Sequence, residues 1–250
     1  MNLNNLPVLP TPSAVSFTDT SAADTFSSVT RSLGGSDVDS SQTLTYGITS
    51  GTDNGTTVSK VGSYGTLTVT KSSGAFTYAP SNTAINARTS DASETFTVTL
   101  GDGVQTVSAT LTVSITGVND LPIVSGVTIS LADTGGSDTF AAQTGTFTAT
   151  DAESDAISTW SATGATTGSW TRAWTTGYPS VTYTRQLVGT YGTLYIEASS
   201  GKYSFEPNAT AINALTTNAS TSLPIVATDS ASSTASMALA LSLTGINDSP

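Results

Sequence analysis

The chain has no cysteine and no histidine. That excludes disulfide staples, thiolate zinc sites, Ser-His-Asp and Cys-His nucleophilic catalysis, and most transition-metal centres. Charge is scarce too: 10% of the 250 residues are Asp, Glu, Lys or Arg, where roughly 25% is usual. Solubility must then come from Ser, Thr, Asn and Gly. Bases are the scarcest class, 7 Lys and Arg against 18 Asp and Glu, for a net charge of −11. A chain this acidic repels nucleic acid and anionic membranes, so neither is expected as a partner. No run approaches the ~20 apolar residues of a membrane helix. The longest, Met237 to Leu243, alternates with Ser and Ala and reads as a strand. Met1-Asn2-Leu3-Asn4 lacks the basic and apolar stretches of a signal peptide. What the composition attracts is cations. Carboxylate, amide and backbone carbonyl oxygens suit hard Ca2+ best, and a β protein without disulfides has use for such a staple.

What is present is repetition. Tyr64-Gly65-Thr66-Leu67 returns as Tyr191-Gly192-Thr193-Leu194, and Thr83-Ala84-Ile85-Asn86-Ala87 as Thr210-Ala211-Ile212-Asn213-Ala214. Thr116-Gly117-Val118-Asn119-Asp120-Leu121-Pro122 returns as Thr244-Gly245-Ile246-Asn247-Asp248-Ser249-Pro250. Upstream, Asp19-Thr20 matches Asp133-Thr134, Asp24 matches Asp138, and Asp37 matches Asp151. The spacing between equivalents grows from 114 residues before Trp160 to 127 at Tyr191, so the second unit carries 13 extra residues. The expected organisation is the tail of a preceding linker over 1–7, a first repeat over 8–120, and a second over 121–250. Both ends look like cuts from a longer array.

Within each unit, alternation at period two marks half-buried antiparallel strands. Thr66 to Thr70, Thr95 to Leu100 and Thr106 to Ile115 all follow it. Asp53-Asn54-Gly55, Ser73-Gly74, Gly101-Asp102-Gly103 and Ser200-Gly201 supply the turns. No window has a helical period. Roughly seven short strands per unit predict an all-β chain of two tandem Ig-like or cadherin-like antiparallel β-sandwiches joined by a short linker.

The order Tyr-Gly-Thr-Leu-Thr-Val, Gly-x-Phe-x-Tyr, Phe-Thr-Val-Thr-Leu-Gly-Asp-Gly and Ile-Thr-Gly-Val-Asn-Asp-Leu-Pro resembles the VCBS repeat. The resemblance covers nearly the whole chain twice, and the Gly-x-Asn-Asp-x-Pro ending is its most specific part. It implies an extracellular, cadherin-like module of large bacterial surface and biofilm adhesins, including RTX adhesins exported by type I secretion. Its partners would be neighbouring repeats of the same chain, the fragment being otherwise a monomer.

Cadherins place a linker Asn-Asp, a following Asp-x-Asp and a later Asp around calcium. By that resemblance the junction site uses Asn119, Asp120, Asp151, Glu153 and Asp229, with Asp19 or Glu94 from the lower end of the first unit. The matching N-terminal site uses Asn4, Asn5, Asp37, Asp39 and Asp102. Glu153 and Asn5 stand where Asp is expected, and Thr221 stands where the second unit would carry the equivalent of Glu94. The same Asp and Asn residues also serve plain turns through side-chain hydrogen bonds to the backbone.

All three tryptophans, Trp160, Trp170 and Trp174, lie in or beside the extra segment. Trp160 aligns with Leu44 to Tyr46 and is expected in the core. On a hairpin with its turn near Gly177 and Pro179, Trp170, Arg172 and Trp174 share one face, as do Tyr183 and Arg185. Such a row either pairs across strands to hold the hairpin down, contacts a neighbouring repeat, or forms a surface for a glycan or protein partner using Trp170, Arg172, Trp174 and Tyr183. Asp37, Asp102, Glu197 and Glu206 lack any distinctive acid/base spacing, so no enzyme is expected.

Overall fold

The computed structural model describes residues 4–39, 42–173 and 180–247. The chain divides into two compact units, Met1–Asp120 and Leu121–Pro250. Unit 1 contains β1 (Val15–Thr18), β2 (Val29–Ser32), β3 (Thr45–Ile48), β4 (Thr52–Asp53), β5 (Thr57–Val61), β6 (Gly65–Thr70), β7 (Ala75–Pro80), α1 (Asn82–Asn86), β8 (Ala92–Gly101) and β9 (Thr106–Thr116). They form two sheets, ordered β1-β9-β8-β3 and β2-β7-β6-β5-β4. Unit 2 contains β10 (Ile123–Val124), β11 (Val127–Ala132), β12 (Gln143–Thr146), β13 (Ala149–Thr150), β14 (Ile157–Ala162), β15 (Thr166–Arg172), β16 (Val181–Gly189), β17 (Gly192–Ile196), β18 (Lys202–Pro207), α2 (Ala209–Asn213), β19 (Ala219–Asp229) and β20 (Thr234–Thr244). Its main sheets run β11-β20-β19-β14 and β12-β18-β17-β16-β15, beside the two-stranded β10-β13.

Each strand obeys the alternation of its residues. In β6, Gly65, Leu67 and Val69 point inward while Thr66, Thr68 and Thr70 face outward. β-branched Thr suits a pleated surface and, with Ser, supplies the polar outer face that the scarce charges cannot. The inner faces close over Val15, Phe76, Tyr78, Phe96 and Leu111 in unit 1, and over Trp160, Tyr203, Phe205, Ile225 and Leu239 in unit 2. Trp160 is therefore core, its ring tilted against Phe147 with centroids 5.7 Å apart. Gly74 and Gly201 explain the repeated Ser-Gly turn: both have positive φ, +66° and +71°. A Cβ there would sit 2.6 Å from the Tyr46 ring and 2.9 Å from Trp160 Nε1.

Three features depart from the sequence expectation. First, the sandwiches are not wholly antiparallel: β1 pairs parallel with β9, and β11 parallel with β20. The first and last strands of each four-stranded sheet thus run the same way, so the chain enters each unit at one end and leaves at the other. Second, the strand segments outnumber seven per unit, because short edge pieces such as β4, β10 and β13 add to the main strands. Third, the repeated Thr-Ala-Ile-Asn block is a 5-residue helix in both units. One turn is too short to show a helical period. It is set instead by the caps Ser81 and Asn208, whose side chains accept from Ala84 N and Ala211 N at 3.3 Å, and by burial of Ile85 and Ile212.

Candidate metal centre and aromatic hairpin

The N-terminal end of unit 1 gathers all five residues assigned to it. The bridge between Val8 and Ser36 pins the incoming chain beside Asp37. Asn4 Nδ2 donates to Asp102 Oδ2 at 3.1 Å, and Asn5 N–H donates to Asp39 Oδ2 at 2.7 Å. Asp39 N–H in turn donates to Asp37 Oδ1 at 2.6 Å. Asp102, in the β8–β9 turn, accepts from Val104 and Gln105 N–H at 2.7 and 2.6 Å. The Gln105 N–H, with that of Val104 behind it, holds the Asp102 carboxyl below the usual carboxylate range. Gln42, which sequence reasoning missed, donates through Nε2 to Asn4 Oδ1. Asp37 Oδ2 and Gln42 Oε1 are buried and have no hydrogen-bond partner among the described residues.

The exit ends of the two units share one arrangement. Asp19 N–H bonds Thr116 O at 3.0 Å, and Asp133 N–H bonds Thr244 O at the same distance. Asp19 Oδ2 accepts from Val118 N–H, and Asp133 Oδ2 from Ile246 N–H, each at 3.4 Å. Both aspartates are buried, 1% and 2% exposed, and each leaves Oδ1 without a hydrogen-bond partner. Burial first, then the nearby Asp24 charge, pushes the Asp19 carboxyl above its usual range, against the pull of the Val118 N–H. Asp133 was absent from the sequence-based set, although its match to Asp19 was the available signal. Asn119 Nδ2 donates to Asp120 O at 2.8 Å, and Asp120 is buried.

The N-terminal end of unit 2 holds Asp151, Glu153 and Asp229. Pairing of Ile123 with Thr150 brings the incoming chain alongside Asp151. Asp151 Oδ1 accepts from Glu153 and Asp155 N–H at 3.1 and 3.2 Å, while its Oδ2 is buried without a hydrogen-bond partner. Asp229, 1% exposed, accepts from Ser233 N–H at 2.8 Å through Oδ1. Ser158 Oγ donates to its backbone carbonyl at 2.7 Å. Among the described residues, no three acidic side chains converge in an arrangement that would hold a metal by themselves. Any cation here must draw on amide and carbonyl oxygens as well. Asp248 lies outside the described residues.

Glu94 is engaged within unit 1. Its Oε2 accepts from Ser63 and Tyr64 N–H at 2.6 and 3.3 Å, and its Oε1 accepts from Tyr78 Oη. Burial, then this bond to Glu94, raises the Tyr78 hydroxyl well above the usual phenol range. Both carboxylate oxygens thus accept hydrogen bonds inside unit 1.

The extra residues of unit 2 lengthen one hairpin, β15–β16. Trp170 pairs with Tyr183 and Arg172 with Val181. Contrary to an exposed aromatic row, Tyr183 is fully buried. Its ring lies 6.2 Å from Tyr195, which Trp170 approaches at 6.0 Å. Large apolar rings laid on a half-covered sheet bury area that an exposed row would leave wet, which is why the hairpin folds down. Arg172 sits 4.6 Å over the Tyr195 ring, donates to its Oη at 3.0 Å and pairs with Glu206 at 2.7 Å. Trp174, Gly177, Tyr178 and Pro179 lie outside the described residues.

No family model matches the chain, and no curated protein matches it. Solved structures do. One is an endo-fucoidan hydrolase of glycoside hydrolase family 107, with 16% identity over 96% of this chain and 29% of that one, TM-score 0.33. Another is Drosophila N-cadherin EC1-3, with 15% identity over 97% and 69%, TM-score 0.31. A third is protocadherin gamma B7 extracellular cadherin domains 1-4, with 10% identity over 96% and 51%, TM-score 0.34. The chain spans under a third of the hydrolase's length. The structural neighbours thus include cadherin extracellular domains, and at these scores the likeness carries no argument about activity. Among the described residues, no helix is long and apolar enough to cross a membrane.

Proposed function

We propose that the two units are non-catalytic extender repeats of a bacterial cell-surface adhesin, stiffened by calcium at their ends. The observation that carries the reading is the parallel pairing of the first and last strands of each four-stranded sheet, β1 with β9 and β11 with β20. It makes each unit a rod segment that the chain crosses from end to end. The 11 residues of β9 alone span about 36 Å at ~3.3 Å per residue. The resemblance to VCBS repeats supports an extracellular array exported by type I secretion.

The donor set at the ends fits a hard cation. Asp19, Asp37, Asp133 and Asp151 each leave a buried carboxylate oxygen with no hydrogen-bond partner among the described residues, and such an oxygen costs about 1–3 kcal/mol unless something satisfies it. Calcium takes six to eight oxygens and supplies that charge when bound. Asn4, Asn5, Asp37, Asp39 and Asp102 would hold it at the N-terminal end of unit 1. At the exit end of unit 1 the ligands would include Asn119 and Asp120, and at the N-terminal end of unit 2 they would include Asp151, Glu153 and Asp229. At free calcium about ten times a dissociation constant of 10⁻⁴ to 10⁻³ M, each site adds about 1.4 kcal/mol.

The test is melting and small-angle scattering of the full chain in calcium, magnesium and chelator. Calcium should raise the melting temperature by roughly 3–6 °C per occupied site and narrow the distribution of particle lengths. A melting temperature and length indifferent to chelation would remove calcium from the reading and leave the extender.

A further inference from the structure

The outer face of the β15–β18 part of unit 2 departs from its counterpart in unit 1. On β17 and β18, Tyr195, Ser204 and Glu206 stand where β6 and β7 carry Thr68, Thr77 and Ala79. The changes accompany the longer hairpin, which adds Trp170, Arg172 and Tyr183 to the same patch. Packing alone does not explain two of its properties. Arg172 and Glu206, 34% and 38% exposed, place an ion pair at the rim of an aromatic cluster in a chain with only 7 bases. Two hydroxyls in the patch, Tyr183 Oη and Ser204 Oγ, have no hydrogen-bond partner among the described residues, although their residues are 0% and 1% exposed. Native folds seldom strand buried hydroxyls without a role.

We propose that this patch binds a sugar ring, with Trp170 stacking on the C–H face of a pyranose. The half-buried indole offers the flat apolar surface. The guanidinium of Arg172 donates to, and the carboxylate of Glu206 accepts from, neighbouring ring hydroxyls, a pairing that needs both charges side by side. Unit 1 has no such surface, so one repeat of the pair is both spacer and contact.

The full chain, in chelator so that the outcome is independent of calcium, is screened on an array of neutral and uronic-acid oligosaccharides. Calorimetry then uses cellohexaose as the neutral probe and a hexaguluronate as the acidic one. We expect binding to at least one, with the responding arm assigning the sugar class. Trp170→Ala and Glu206→Gln should each weaken it about tenfold, while Lys71→Met in unit 1 leaves it unchanged. If Trp170→Ala loosens the hairpin by thermal melting, Glu206→Gln, which keeps the side-chain volume, decides. An array without a hit, or hits that survive Glu206→Gln at full affinity, would overturn the assignment.

Discussion

The two units build the same hairpin to different ends. In unit 1, β4 and β5 meet over two residue pairs around Asn54-Gly55, with Gly55 at φ +85°. The outer face there carries little beyond the exposed Lys71–Asp53 pair at 2.8 Å. In unit 2, β15 and β16 run to 7 and 9 residues and fold Trp170 and Tyr183 onto Tyr195. A longer two-stranded ribbon is marginal in water unless its face is covered. Extension and cover therefore came together, with Tyr195 and Glu206 where unit 1 has Thr68 and Ala79. The same pairing of changes recurs in the core: Tyr78 with Glu94 in unit 1 is replaced by Phe205 with Thr221 in unit 2. Losing the hydroxyl removes the need for its acceptor.

The comparison breaks most sharply at Tyr195. Tyr195→Ala should destabilise unit 2 by about 3 kcal/mol, whereas Thr68→Ala should cost unit 1 no more than about 0.5 kcal/mol. Tryptophan fluorescence in denaturant reads the first alone, since all three tryptophans belong to unit 2. Equal effects would mean that the hairpin does not depend on the sheet beneath it.

Next comes the Glu94 latch. Glu94→Ala leaves Ser63 N–H, Tyr64 N–H and Tyr78 Oη without their acceptor, at a cost of about 2 kcal/mol. The double variant Tyr78→Phe, Glu94→Thr, which copies unit 2, should recover part of that loss by calorimetric melting. No recovery would show that the two positions are independent.

A smaller effect, with opposite signs, separates two aspartates. The folded pKa of Asp19 is raised by burial, so its contribution is favourable at acid pH and is lost as pH rises through that value. Asp19→Asn should therefore stabilise unit 1 at pH 7 in chelator, by on the order of 1 kcal/mol, and abolish the stabilisation by calcium at that end. The folded pKa of Asp102 is lowered by backbone N–H groups, so its contribution is present above the ordinary carboxylate pKa and lost as pH falls through the folded one. Asp102→Asn should lower the melting temperature at pH 7 and flatten the acid limb of the pH–stability curve. The same sign for both would contradict their environments.

The smallest contrast lies in the ion pairs. Arg172→Lys keeps the charge but loses the contact over Tyr195, and should cost unit 2 about 0.5 kcal/mol. Lys71→Met should leave the unit 1 transition where it was, because solvent screens an exposed pair.

Much of this was legible in the residues. Period-two alternation located the long strands such as β8 and β9, the repeated blocks paired the two units, and the alignment of Trp160 with Tyr46 placed it in the core. The N-terminal cluster of Asn4, Asn5, Asp37, Asp39 and Asp102 was legible through repetition and resemblance. Asp133 was legible too, from its match to Asp19, but was passed over. Strand direction was not legible, because alternation is the same for parallel and antiparallel neighbours. Neither were the short helices, whose single turn shows no period, nor the engagement of Glu94 by a loop some thirty residues away.

By itself, then, the sequence determined an all-β class, two homologous units and the inward or outward side of most strand residues, since those properties are local and set by polarity. Tertiary structure decided which ends the chain uses, because strand direction depends on partners distant in sequence. It also decided that Tyr183 is buried while Trp170 and Arg172 reach the surface. Side chains on one short hairpin acquire different exposures only when the sheet below, with Tyr195 and Glu206, covers them unequally.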